Sequence, residues 1–149
     1  MGVGRHARKR GGAEELLAWF LLFAIGLDGL YNAVIHIFFG GMAARFIGWP
    51  DSPFQTEVGL ANLAFGVLGL LGFRGSPGMR AAAVIAPSVF LLGAAGTHVW
   101  SMIQAGNYAP GNAGTIFYTD LAIPLIGALL LLLRYHREWQ VAVIPAREL

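Results

Sequence analysis

The chain contains no cysteine, which rules out disulfides, thiolate metal sites, a lipidated N-terminal cysteine and a prenylation signal. Any metal bound here must be held by imidazole, carboxylate, carbonyl or water. Charge is scarce as well. Only 12% of the 149 residues are charged, against roughly 25% in ordinary soluble domains. Apolar residues take the space instead, at 56% of the chain. A soluble domain of this size has too high a surface-to-volume ratio to bury that much apolar surface. The lipid bilayer is the solvent this composition fits, and a secreted soluble enzyme is excluded.

The apolar residues fall in four runs. They predict an all-α, four-transmembrane-helix bundle with helices at about 16–39, 53–73, 81–104 and 115–134. A basic N-terminus, 1–15, precedes them and a short tail, 135–149, follows. Each run meets or approaches the ~20 residues that cross a ~30 Å hydrocarbon core. A cleaved signal peptide is not expected, since the first run exceeds the usual 7–15 apolar residues and contains Asp28. The myristoylation pattern fails at His6.

Orientation follows from the basic residues. Arg5, Arg8, Lys9 and Arg10 precede the first run, Arg74 and Arg80 lie between the second and third, and Arg134, Arg137 and Arg147 follow the fourth. Arg45 alone lies on the opposite side. The positive-inside rule therefore places the N- and C-termini in the cytoplasm and the connections 40–52 and 105–114 outside, with the cell inner (cytoplasmic) membrane as the location. Trp49, Trp100, Tyr108 and Tyr118 then form an outer aromatic belt, and Trp19, Tyr135 and Trp139 an inner one. Ser52-Pro53-Phe54-Gln55 reads as a capping box that starts the second helix at Pro53.

Each run also carries an ionisable residue near its outer end: His36, Glu57, His98 and Asp120. Such groups inside hydrocarbon are costly and mark working sites by default. Asp28, Asn32 and His36 recur every four residues and share one face of the first helix. Thr97, His98 and Ser101 cluster near the outer end of the third, with Gly93 and Gly96 a turn below, where a neighbour can approach closely. In the second helix, Gln55, Gly59, Asn62, Gly66, Gly69 and Phe73 lie on one face and Glu57 on the other. The cost of leaving a carboxylate in lipid favours Glu57 as the inward member, with Asn62 as its substitute.

The stretch Gly48-Trp49-Pro50-Asp51-Ser52-Pro53-Phe54-Gln55-Thr56-Glu57-Val58-Gly59-Leu60-Ala61-Asn62-Leu63 resembles an uncharacterised family of small prokaryotic four-helix membrane proteins. Residues Gly106 to Asp120 are similar to that family's second outer loop, and the resemblance runs from Ala18 to Arg134. It implies an architecture rather than an activity. More loosely, the chain looks like the DoxX-like superfamily, some members of which are implied in quinone-linked redox chemistry or as partners of redox enzymes. No DoxX catalytic motif maps onto these residues.

Three readings remain open. In the first, Asp28, Asn32, His36, Glu57, Asn62, Thr97, His98, Ser101 and Asp120 line a pocket in the outer half of the bundle. There His36, His98, Asp120 and Glu57 would ligate a divalent metal, as four-helix bundles do. A quinone or haem would use the same histidines. In the second, the polar residues are interhelical hydrogen bonds in an assembly subunit, with a membrane-complex partner or a second copy. In the third, Asp28, Asn32 and His36 form half of an ion or proton path. The lipid bilayer is a partner in all three. Nucleic acid is a partner in none, because anionic headgroups account for the basic N-terminus.

The cysteine-free background makes the orientation easy to test. A single cysteine at Arg45 should react with a membrane-impermeant maleimide on intact cells, and one at Arg74 only after lysis. The reverse pattern would invert the topology.

Overall fold

The computed structural model of the chain describes residues 11–143, with side chains described for 11–136. Arg5, Arg8, Lys9, Arg10 and Arg147, and the side chains of Arg137 and Trp139, lie outside the described residues. Among those described, the structure is all helical: α1 (Gly12–Phe38), α2 (Gly40–Ile47), α3 (Phe54–Arg74), α4 (Pro77–Ala105) and α5 (Thr115–Val143). A single turn, Pro110–Ala113, precedes α5. The α1, α3, α4 and α5 helices are long and apolar enough to cross a membrane. The chain is a multi-pass membrane protein.

The long helices run up and down. Arg80, near the start of α4, lies against Glu14 at the start of α1 and the end of α3. His36, at the far end of α1, meets Gln55 at the start of α3. One end of the bundle thus holds the start of α1, the end of α5 and the α3–α4 turn. The other, here called the loop end, holds the α1–α3 and α4–α5 connections.

Glycine sets the tightest contact. A Cβ on Gly29 would lie 2.8 Å from the backbone nitrogen of Gly66 and 2.9 Å from the carbonyl of Asn62. Backbone cannot step aside, so α1 and α3 touch main chain to main chain only while both positions lack side chains. This fixes the rotation of α3. Gln55, Gly59, Gly66, Gly69 and Gly72 are buried, and Glu57 falls on the exposed face. The expectation of Glu57 as the inward member is therefore corrected: helical phase follows the glycines, not the carboxylate. The third spanning helix, α4, needs a parallel correction. A Cβ added at Gly93 or Gly96 would meet nothing within 4 Å, so these glycines face outward rather than receiving a neighbour.

The two ends are built differently. Towards the termini, Leu17, Leu21, Ile25, Ala83, Val84 and Leu131 form an apolar core. Arg80, 1% exposed, closes it by donating to the carbonyls of Gly72, Phe73 and Glu14 at 3.2, 2.9 and 3.2 Å. The Gly72 and Phe73 carbonyls lie in the last turn of α3, where the helix supplies no N–H, so the guanidinium caps the helix end. The helix-start signal also sits elsewhere than expected. No side chain caps α3, because its N-cap residue is Pro53 and the Gln55 N–H donates to the Ser52 carbonyl rather than its hydroxyl, while the Gln55 side chain turns to His36. The side-chain cap is Ser76, whose Oγ accepts from the Met79 N–H at 3.3 Å, with Pro77 as the first residue of α4. Within α1, a π-helical stretch over Leu21–Leu27 ends with the Asp28 N–H donating to the Phe23 carbonyl. From Asp28 onward α1 is regular, so Asp28, Asn32 and His36 do share a face.

Gly29→Val should destabilise the bundle by about 1–3 kcal/mol through backbone overpacking, and Gly93→Ala should change it by less than about 0.5 kcal/mol. Thermal unfolding of both variants in one detergent checks this. Equal losses would contradict the contact.

Candidate functional site

Two left-handed glycines aim the loop end's polar residues. Gly48, at φ 78°, ends α2 and delivers Trp49. Gly106, at φ 59°, ends α4 and delivers Asn107. Glycine adopts this conformation without the steric cost that other residues meet. The two loops then interlock. Asn107 Nδ2 donates to the Ile47 carbonyl at 3.0 Å and to Ser101 Oγ at 3.1 Å. Trp49 Nε1 donates to the same hydroxyl at 3.2 Å. Gly111 seats on α2, where a Cβ would come within 2.7 Å of the Phe46 carbonyl.

His98 sits under this lid, 3% exposed. Its ring stacks on Trp49 with centroids 5.2 Å apart and planes 26° apart. Nδ1 lies 2.8 Å from Oδ1 of Asn112. Asn112 is fully buried and makes two further bonds, donating from Nδ2 to the His98 and Asn107 carbonyls at 3.2 and 2.8 Å. On the other side of the ring, Nε2 faces Oδ2 of Asp120 at 3.5 Å. That is ion-pair distance, longer than a tight charge-assisted hydrogen bond. Asp120 is 5% exposed, and its Oδ2 has no hydrogen-bond donor.

The remaining candidates spread around this centre. Asp28 is exposed. Asn32 donates back to Asp28 Oδ2 at 3.1 Å and to its carbonyl at 3.0 Å. Half-buried His36 pairs through Nδ1 with Gln55 Oε1 at 2.8 Å, a contact separate from His98. Ser101 joins the loop clamp. Thr97 is exposed and donates to Ala94 of its own helix. Asn62 donates to Val58 of its own helix. Glu57 faces outward.

The four residues considered for a metal are therefore not gathered. Among the described residues, no three His, Asp or Glu side chains sit where they could share a metal ion. Sequence reasoning missed Trp49, Gln55, Asn107 and Asn112 as parts of the site. It places Trp49 in a lipid-facing belt and Gln55 in a cap. The local signal for the two asparagines is the polar, uncharged Gly106–Gly114 loop, whose partners lie up to 60 residues away.

Comparison with known proteins identifies the family. A family of unknown function, DUF6790, matches residues 2–140. The chain belongs to that family. No curated protein and no solved structure matches it. For this DUF6790 chain, the chemistry must be argued from the loop end itself.

Asn112→Leu removes one amide and takes from the Asn107 carbonyl and the His98 ring nitrogen their bonds to it, and from the His98 carbonyl, inside α4, a bond beyond the helical ladder. At about 1–3 kcal/mol for a buried polar group left unsatisfied, the variant should unfold measurably earlier, and amide exchange should speed up across 106–114 first. Uniform exchange in that loop, unchanged from wild type, would remove Asn112 as its anchor.

Proposed function

We propose that this protein binds a small organic ligand or cofactor in the loop-end half of its bundle, hydrogen-bonded to the His98–Asp120 pair. One observation carries the reading: a nearly buried carboxylate with an oxygen that no donor satisfies. Leaving such an atom unpaired costs about 1–3 kcal/mol or more, which a ligand hydroxyl or N–H would recover. Polar residues at membrane depth that face protein rather than lipid are functional by default.

The chemistry narrows the ligand. Both ring nitrogens of His98 are already directed at side chains, so neither suits a haem iron. A quinol fits better, since its hydroxyls can donate to the Asp120 carboxylate while its ring lies against Trp49; a quinone carbonyl only accepts and could not. That choice agrees with the looser DoxX-like resemblance. Under the positive-inside rule the site lies towards the outer face of the cytoplasmic membrane.

A second reading has its own support. His36 and His98 each satisfy Nδ1 with an amide of this chain. Bonds of that kind hold membrane helices together at ~0.6–2 kcal/mol each, as expected of an assembly subunit. Transport is the weakest of the three, because the apolar core from Leu17 to Leu131 separates the loop end's polar residues from the buried Arg80 at the other end.

Protein purified with its native lipids in nanodiscs, then solvent-extracted and analysed by mass spectrometry, separates the readings. A lipophilic ring compound should co-purify near stoichiometry and fall at least tenfold in Asp120→Asn. Equal amounts in both, or none in either, would favour the assembly reading.

A further inference from the structure

We propose that His98 and Asp120 form a buried proton-binding site whose tautomer is set by Asn112, a positioning residue. The inference stands whether or not a ligand binds.

It starts from the Asn112 amide. One of its terminal atoms lies 3.2 Å from the His98 carbonyl and 2.8 Å from the Asn107 carbonyl. Carbonyls only accept, so that atom must be the NH₂ nitrogen. The amide oxygen is then the atom 2.8 Å from His98 Nδ1. An amide oxygen also only accepts, so Nδ1 carries a proton. A neutral imidazole has only one. In the neutral ring, Nε2 is therefore a bare lone pair, and it points at Asp120 Oδ2 from 3.5 Å.

Two acceptors facing each other in a water-poor interior repel. A single added proton removes the conflict. On Nε2 it gives an imidazolium beside a carboxylate, and on Oδ2 a neutral imidazole beside a carboxylic acid. Both states are net neutral. With no added proton the pair carries one negative charge, and with two it carries one positive charge. Net charge is disfavoured where both residues are nearly sealed from solvent. The added proton belongs to the pair rather than to either residue.

The surroundings leave that balance to few groups. On α1, Asp28 is exposed and bonded to Asn32, and His36 is bonded to Gln55 of α3. Glu57, in the first turn of α3, is exposed. The α2–α3 loop contributes the Trp49 ring and the α4–α5 loop the Asn112 amide, neither of which titrates. Without the Asn112 oxygen, the ring is free to move its own proton to Nε2 and satisfy the carboxylate with no added proton. A folded Asn112 variant should therefore bind the added proton more weakly than wild type, because only the repulsion between the two acceptors is relieved.

The test uses the full chain labelled with ¹⁵N-histidine in lipid nanodiscs, with His98 assigned by the loss of its signals in His98→Gln. Wild type should keep Nδ1 protonated wherever it is folded, while Nε2 or the carboxyl infrared band reports one titration. Asp120→Asn should abolish that titration and keep the Nδ1–H tautomer, because its amide can donate to Nε2. Asn112→Ala should shift the ring to the Nε2–H tautomer. An Nε2–H tautomer in the wild type overturns the proposal even if no variant folds. So does a His98 titration unchanged in Asp120→Asn.

Discussion

Three hydrogen bonds of one buried amide, Asn112, hold the loop end together. They tie the tip of α4, the turn before α5 and the imidazole of His98 into one unit. The lid formed by Trp49, Asn107 and Ser101 joins this unit through Asn107, whose carbonyl accepts from Asn112 and whose Nδ2 donates to Ile47 and Ser101. In hydrocarbon, irregular backbone is tolerated only where protein or a cavity satisfies its polar groups. Asn112 does this for two carbonyls at once. The direction in which His98 points, and hence what Asp120 faces, follows from it.

The rest of the bundle makes that arrangement affordable. Glycine contact between α1 and α3 brings those helices together without large side chains. The apolar core and the Arg80 cap then concentrate stability towards the termini. The buried arginines Arg80 and Arg134 lie towards that end, while the buried amides, imidazole and carboxylate are left to the loop end. Each hairpin there pairs a histidine on its outgoing helix with an amide met on the way back: His36 with Gln55, and His98 with Asn112. Only the second hairpin adds a buried carboxylate on the free side of the ring. That difference makes His98 the chemical centre, with His36 a fastening for the first hairpin.

Much of this is legible in the chain, for physical reasons. Runs of apolar residues of membrane-spanning length mark the four long helices, because no other environment accepts them. His98 and Asp120 stand out because charge in such runs is rare. The orientation of α3 is harder to read. Both faces carry small residues, and the choice between Glu57 and the Gln55 face depends on where a glycine pair meets. That contact joins residues nearly forty positions apart and leaves no local pattern. Gln55 is ambiguous for a related reason: the same side chain can cap its own helix or cross to His36, and only the packing of α1 decides. Trp49, Asn107 and Asn112 are least legible, since their roles arise when two loops distant in sequence meet.

The central claim is that His98 and Asp120 face each other inside the protein. The most direct measurement is a ¹³C–¹⁵N dipolar recoupling experiment on the membrane-embedded protein, between the Asp120 carboxyl carbon and His98 Nε2. A contact consistent with the 3.5 Å nitrogen–oxygen separation is the predicted result. Absence of that coupling, with the Asp120 carboxyl carbon showing contacts to lipid instead, would contradict the account.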